Sequence, residues 1–150
     1  MQTSWRISNS NLLIIKPYTP MSKFVSDTMA LVLHLEKRKM PSTAKAIFKA
    51  TEEGEHEIYI PAMVLAEIGY LSEKGRIETD VEAVAKQMER HRNFKEKVMD
   101  AAVVKASFEI DDIPELHDRL IAGTAKSMGL DIISNDPAME QSVHVNTIWK

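Results

Sequence analysis

Cysteine is absent from the 150 residues, which removes disulfides, zinc–thiolate sites and thiol nucleophiles together. It also suits a reducing, cytoplasmic setting. Aromatic residues are scarce at 6%, and the five glycines and six prolines are too few for a collagen-like or low-complexity chain. Long apolar runs are missing too: Leu12-Leu13-Ile14-Ile15 is only four residues, far short of a signal-peptide core or a membrane span. Nor does one sign of charge dominate. Nineteen basic and 22 acidic residues leave a net −3, so no global positive field advertises nucleic acid. Four carboxylates gathered round one metal would nevertheless leave the remainder mildly positive, and net charge therefore excludes nothing.

What is present is ordinary globular usage, 44% apolar and 27% charged. A domain of this length buries roughly 70% of its unfolded surface, enough for a core without staples. The length suggests one domain, and no internal repeat is found. Residues 1–20 stand apart, rich in Ser, Asn and Thr and closed by Pro17 and Pro20. They are an extension, an edge strand at 12–15, or an upstream start, and the residues alone leave the three open. The patterned domain is 21–150.

From Phe24 the pattern alternates. Phe24-Val25-Ser26-Asp27 is a short apolar strand ending on a carboxylate, followed by a helix at 29–36 on Leu31, Val32 and Leu35. A second helix starts at Pro41-Ser42, carries Ala46, Ile47 and Ala50, and stops at Gly54. Residues 57–60 read as a strand, and 62–74 as a helix with Gly75 at its C-terminal cap. Residues 80–88 form an amphipathic helix on Val81, Val84, Ala85 and Met88. Another helix is expected over 95–108, then a break at Asp111-Asp112-Ile113-Pro114. His117 to Met128 shows a 1-4-5-8 apolar spacing closed by Gly129. Strands at 130–134 and 145–149 complete an α/β pattern with a central, mostly parallel sheet flanked by helices.

Open parallel sheets collect ligands at the carboxyl ends of their strands. Asp27 and Asp136 stand at such ends. Each also has a plainer use, Asp27 as a cap for the helix after it and Asp136 as an N-cap before Pro137. Asp118 sits in a first helical turn, where any acid is favoured by the helix dipole. Glu67 is the most informative. Its neighbours on one helical face are Met63, Val64, Tyr70 and Leu71, with no Lys or Arg at pairing distance, and an ionised carboxylate in such company is costly unless compensated.

The set and its flanks carry a resemblance. Phe24-Val25-Ser26-Asp27-Thr28, Ile60-Pro61-Ala62 through Ala66-Glu67-Ile68 to Gly75-Arg76-Ile77, His117-Asp118-Arg119-Leu120-Ile121-Ala122-Gly123-Thr124-Ala125, and Ile132-Ile133-Ser134-Asn135-Asp136 follow one another with acids 40, 51 and 18 residues apart. In this the chain resembles the PIN-domain ribonucleases, most closely the VapC-type toxins of prokaryotic toxin–antitoxin pairs, over residues 22–149. Met29 departs from the pattern, standing where the family often has a small polar residue.

The resemblance implies a three-layer PIN-like fold and an endoribonuclease that hydrolyses RNA phosphodiesters at Asp27, Glu67, Asp118 and Asp136. Clustered carboxylates without His or Cys suit Mg²⁺ or Mn²⁺ rather than zinc. Thr28 and Ser134 are candidates to orient those carboxylates, with hydroxyls that satisfy strand-end backbone as the plainer use. A cognate antitoxin and a homodimer are implied by analogy. Lys37-Arg38-Lys39, Lys74 with Arg76, and Arg90-His91-Arg92 with Lys95 and Lys97 are candidate phosphate contacts, each equally readable as a solvated face. The five histidines lack paired ligand spacing and receive no role. Two other readings compete: a PIN-like binding module without catalysis, and an unrelated small α/β domain such as a phosphoacceptor receiver. The receiver lacks its lysine, since none follows Asp136 before Lys150.

Overall fold

Residues 21–150 are described by the computed structural model, together with two short strands, β1 (Ser4–Trp5) and β2 (Pro17–Tyr18), which pair antiparallel. The expected edge strand at 12–15 lies outside the described residues. Beyond them come β3 (Ser22–Ser26), α1 (Thr28–Leu35), α2 (Ser42–Glu52), β4 (His56–Pro61), α3 (Ala62–Glu73) and α4 (Val81–Arg90). The second half holds β5 (Phe94–Lys97), α5 (Ala101–Glu109), α6 (Leu116–Met128), β6 (Asp131–Ile133), α7 (Pro137–Glu140) and β7 (Thr147–Ile148).

Five strands form one sheet in the order β5-β4-β3-β6-β7, with every neighbouring pair parallel. Parallel neighbours cannot be joined by tight turns, so helices occupy the connections. The chain starts in the middle at β3, builds outward through β4 to β5, then returns to lay β6 on the other side of β3. The topological switch therefore falls between β3 and β6, and the crevice beyond their carboxyl ends is where such a sheet offers a ligand site.

Val25, Ile58, Ile60, Ile132 and Ile133 supply the fully buried centre of the sheet, covered by Leu31, Phe48, Val64, Ile68 and Ile121 from the helices. In α2 the buried face is Ala44, Phe48 and Thr51, while Ala46 is exposed. The bulk of Phe48 sets that face, because a large aromatic gains most from burial. In α4, Val84 and Gln87 turn inward, whereas Val81 and Ala85 are exposed. No helix among the described residues is long and apolar enough to cross a membrane.

The helix expected over 95–108 is two elements. Its first part is the edge strand β5, paired with β4 from Ile58↔Phe94 to Pro61↔Lys97, and α5 begins only after Asp100, whose carboxylate accepts the Val103 N–H at 3.0 Å. Lys95-Glu96-Lys97 shows no strand-like alternation because this is an edge, where charged side chains face water and discourage further pairing. Phe94 anchors it instead, 2% exposed and stacked on Phe48.

Helix α6 is buried on more than one side, with Ile121 through Ala125 all buried. Gly123 permits this: a Cβ there would fall 2.7 Å from the Cα of Ser107 in α5. The two helices approach at a point where no side chain fits, and the obstacle is backbone. Gly123→Ala should therefore destabilise the protein by about 1–3 kcal/mol despite alanine's higher helix propensity. Urea unfolding checks this, since a looser contact would let alanine's propensity win and raise the midpoint.

Candidate active site

Four segments bring their acids to the crevice beyond β3 and β6. A cleft of about 480 Å³ is lined by Asp27, Glu67, Asp118 and Asp136, with Thr28, Asn135 and the apolar Met29, Ile121 and Met139 among its other walls. Asp27 follows β3, and its N–H donates to Ile133 O of β6 at 3.1 Å, so the two strands at the switch are tied at the site itself. Its Oδ1 caps α1 by accepting the Ala30 N–H at 2.8 Å. The plainer use expected for Asp27 is thus real, and the residue lines the cleft as well.

Asp136 behaves differently. It occupies the N-cap position of α7, ahead of Pro137, yet makes no side-chain cap bond. Its N–H donates to Ser134 Oγ at 3.0 Å, while its Oδ2 is buried with no partner. Asp118 lies in the first turn of α6, and the cap there is Glu115, which accepts the Asp118 N–H. The capping duty is filled by another residue, leaving the Asp118 carboxylate to the cleft. Glu67, midway along α3, accepts the Thr28 hydroxyl at 2.5 Å. Thr28 and Ser134 therefore both touch residues of the acidic set.

The charges oppose one another. Burial raises the Asp27 carboxyl to about 6, with Asp136 and Asp118 adding to the rise; the Ser134 hydroxyl and the Ala30 N–H act the other way. Burial also raises Asp118 to about 6, aided by the negative charges of Asp136, Glu115 and Glu67 and countered by His117. Among the described residues no Lys or Arg lines the cleft. An all-oxygen donor set, two carboxyls pushed upward, and a buried carboxylate oxygen without a donor fit a hard divalent cation. Asp27, Glu67, Asp118 and Asp136 are the residues that could hold it. No three of them bring ligating atoms within 4.8 Å of one another. Among the described residues only Asp111, Asp112 and His144 do so, and they are a loop clasp away from the cleft. There His144 meets Asp111 at 3.0 Å, and Asp112 accepts Ser142 Oγ and Val143 N–H.

Two features escape a reading of the sequence. His117 lies 3.7 Å from Glu67 Oε2 and 3.1 Å from Glu115 Oε2; nothing in its spacing marks this, because Glu67 comes from another helix. Met29 lines both the acidic cleft and an adjoining apolar groove of about 450 Å³ formed with Met63, Ala66, Tyr70 and Leu71. Of the apolar company of Glu67 along α3, Met63, Tyr70 and Leu71 line that groove, while Val64 is buried in the core. Of the basic candidates, Lys95 pairs with Glu57, Lys97 pairs with Asp100, and Lys74 lies over the Tyr70 ring. Arg119 lies over Phe108 and donates to Pro114 O, a structural role.

The raised Asp27 pKa has a thermodynamic consequence in the metal-free protein. Between 3.8 and about 6 the folded state binds the proton more tightly than the unfolded state. The associated stability is present in full below the lower value and is lost as pH rises through the upper one. Asp27→Asn, whose amide oxygen still caps α1, should thus exceed wild type in stability near pH 7.5 by something on the order of 2–3 kcal/mol in EDTA. The gap should close towards about pH 4. Urea midpoints across that range measure it, and a pH-independent gap would show that ionisation is not its source.

Comparison with known proteins gives the geometry a family. The family model of the PIN domain matches residues 24–142. No curated protein sequence matches. Among solved structures, the chain is similar to VapBC2 from Rickettsia felis bound to a DNA fragment from its promoter, with TM-score 0.65 and 17% identity over 85% of this chain and 99% of that one. DNA-bound VapBC from Salmonella typhimurium gives 0.63 and 20%, over 85% and 98%. A toxin–antitoxin complex from Klebsiella pneumoniae gives 0.56 and 14%, over 83% and 94%. At these identities the solved structures speak for the fold, and the match across most of the sequence speaks for descent: the chain belongs to the PIN domain family.

Proposed function

We propose that this PIN domain is a metal-dependent endoribonuclease, the toxin half of a toxin–antitoxin pair. One observation carries the reading: Asp27, Glu67, Asp118 and Asp136, far apart in sequence, line one cleft that no Lys or Arg of the described residues enters, and a buried oxygen of Asp136 has no partner among them. Acids kept merely as caps would have their oxygens engaged by backbone N–H groups. A binding module without catalysis would have no use for charges that raise one another's pKa values.

Asp27, Glu67, Asp118 and Asp136 would hold Mg²⁺ or Mn²⁺. Such an ion, when bound, lowers the pKa of a coordinated water and offsets the charge that builds on a phosphodiester. The chain's own groups set the stage. Thr28 fixes the orientation of Glu67, and the Ala30 N–H holds Asp27. Ser134 anchors the turn that carries Asp136, and exposed Asn135 on the cleft wall offers an amide to a sugar or base. Met29, Ile121 and Met139 lower the local dielectric, which strengthens every charge interaction there. The choice of RNA over DNA rests on the family resemblance, since the acids suit either backbone. The antitoxin partner rests on the assemblies in which similar folds are found, including the Klebsiella toxin–antitoxin complex.

Two measurements test this. Millimolar Mn²⁺ should raise the melting temperature of wild type by about 5–10 °C once the ion is in roughly hundredfold excess over Kd. Asp118→Asn should melt higher than wild type in EDTA and respond little to Mn²⁺. RNA cleavage should require the metal and fall at least about a hundredfold in Asp118→Asn, a loss typical of removing one charged catalytic group. Stabilisation by Mn²⁺ without cleavage of any RNA would favour the binding module.

A further inference from the structure

A cleft larger than the acidic one lies elsewhere. It measures about 700 Å³ and opens between the C-terminal end of α1, α2 and α4. Asp27 and Thr28 begin α1, whose eight residues rise about 12 Å, and this cleft gathers around the other end of that helix, from Leu33 onward. Lys37, Arg38, Lys45, Lys49, Lys86 and Arg90 line it. Among the described residues only Arg38 of these six has a carboxylate within pairing distance, Glu36 at 3.4 Å. The one acid in the wall, Glu52, is already engaged by His34 and Gln87, each at 2.7 Å. In a chain of net charge −3, five unpaired cations around one concavity are a local excess that repels itself unless an anion enters.

Two further observations point to a ligand. Thr79, 7% exposed, stands in the wall, and its buried hydroxyl has no hydrogen-bond partner. Such an orphan is costly in a wall that nothing fills. Lys37 has φ 55 at the end of α1, the left-handed cap position where glycine is unstrained. The chain keeps a lysine there at a conformational cost. Glu36 meanwhile accepts the N–H groups of Glu78 and Thr79 at 2.8 and 2.9 Å, which pins the Thr79 wall to α1 and gives the cleft a fixed shape.

We propose that this cleft binds a compact polyphosphate anion, with Lys37, Lys45, Lys49, Lys86 and Arg90 meeting its charges and the Thr79 hydroxyl, turned about its Cα–Cβ bond out of its buried position, donating to one phosphoryl oxygen. Linked phosphoryl groups match the concentration of charge in a confined space better than a single phosphate does. The site lies apart from the acidic cleft and does not depend on its assignment.

Calorimetric titration of the full chain in EDTA tests it, with inorganic tripolyphosphate, ATP and a short single-stranded RNA as probes. Tripolyphosphate should bind one to one. Affinity should fall at least about tenfold in a Lys49→Gln, Arg90→Gln double variant and about threefold or more in Thr79→Val, and stay unchanged in Asp118→Asn. Comparable binding of ATP would assign the site to nucleotides, and tripolyphosphate alone to inorganic chains; both support the proposal. Thr79→Val should melt no lower than wild type, so its weakened binding is not lost folding. Absence of saturable binding at low millimolar, or binding indifferent to these variants, overturns the proposal. So does RNA binding that the variants abolish while tripolyphosphate fails to bind, which would make the cleft a nucleic-acid surface.

Discussion

Like charges confined at the switch between β3 and β6 are the constraint on which the structure turns. Two strands diverge there in chain order while remaining hydrogen-bonded, down to the Asp27 N–H on Ile133 O. The crevice this creates receives Asp27 and Asp136 from the strand ends, Glu67 from α3 and Asp118 from α6. Burial and repulsion together raise Asp27 and Asp118 to about 6. The fold tolerates that cost because the surrounding framework is stiff. The buried isoleucines of β4 and β6 hold the sheet, and the close α5–α6 contact at Gly123 seats the helix that presents Asp118.

The helix termini divide the labour. At α1 the same carboxylate caps and faces the cleft. At α6 Glu115 caps, so Asp118 is free; at α7 the cap position is filled by an acid that does not cap. An acid at an N-terminus is thus no evidence for either role until its oxygens are followed to their partners. The polarity of the molecule extends this division. Among the described residues, one end of α1 abuts an acidic cleft that no Lys or Arg lines, and its other end a basic cleft whose single acid is already engaged. A net charge near neutral conceals both.

The sequence carried most of the fold. Apolar strands closed by polar residues, the 1-4-5-8 spacing of α6 and the Gly129 stop all had local causes, and local causes are visible in local sequence. It misled at residues 95–108, where an edge strand bears Lys-Glu-Lys because solvent, not a core, is its neighbour. It misled again on α2, where the weight of Phe48 turned the buried face. The four acids were legible as a set through their flanking residues and order. Their plainer uses were equally legible: Asp27 caps α1 and Asp118 sits in the first turn of α6, while Asp136 holds a cap position without capping.

The amino-acid sequence by itself determined the α/β alternation, the family and the identity of the candidate acids, because periodicity, caps and short motifs act over a few residues. Tertiary structure alone decided which charges meet. It set His117 beside Glu67, Met29 between an acidic cleft and an apolar groove, and lysines from two helices and the turn after α1 around one concavity with an orphaned threonine in its wall. Those encounters join residues far apart along the chain. Electrostatic energy depends on distances through space, which no spacing along a sequence records until the sheet has fixed its strand order.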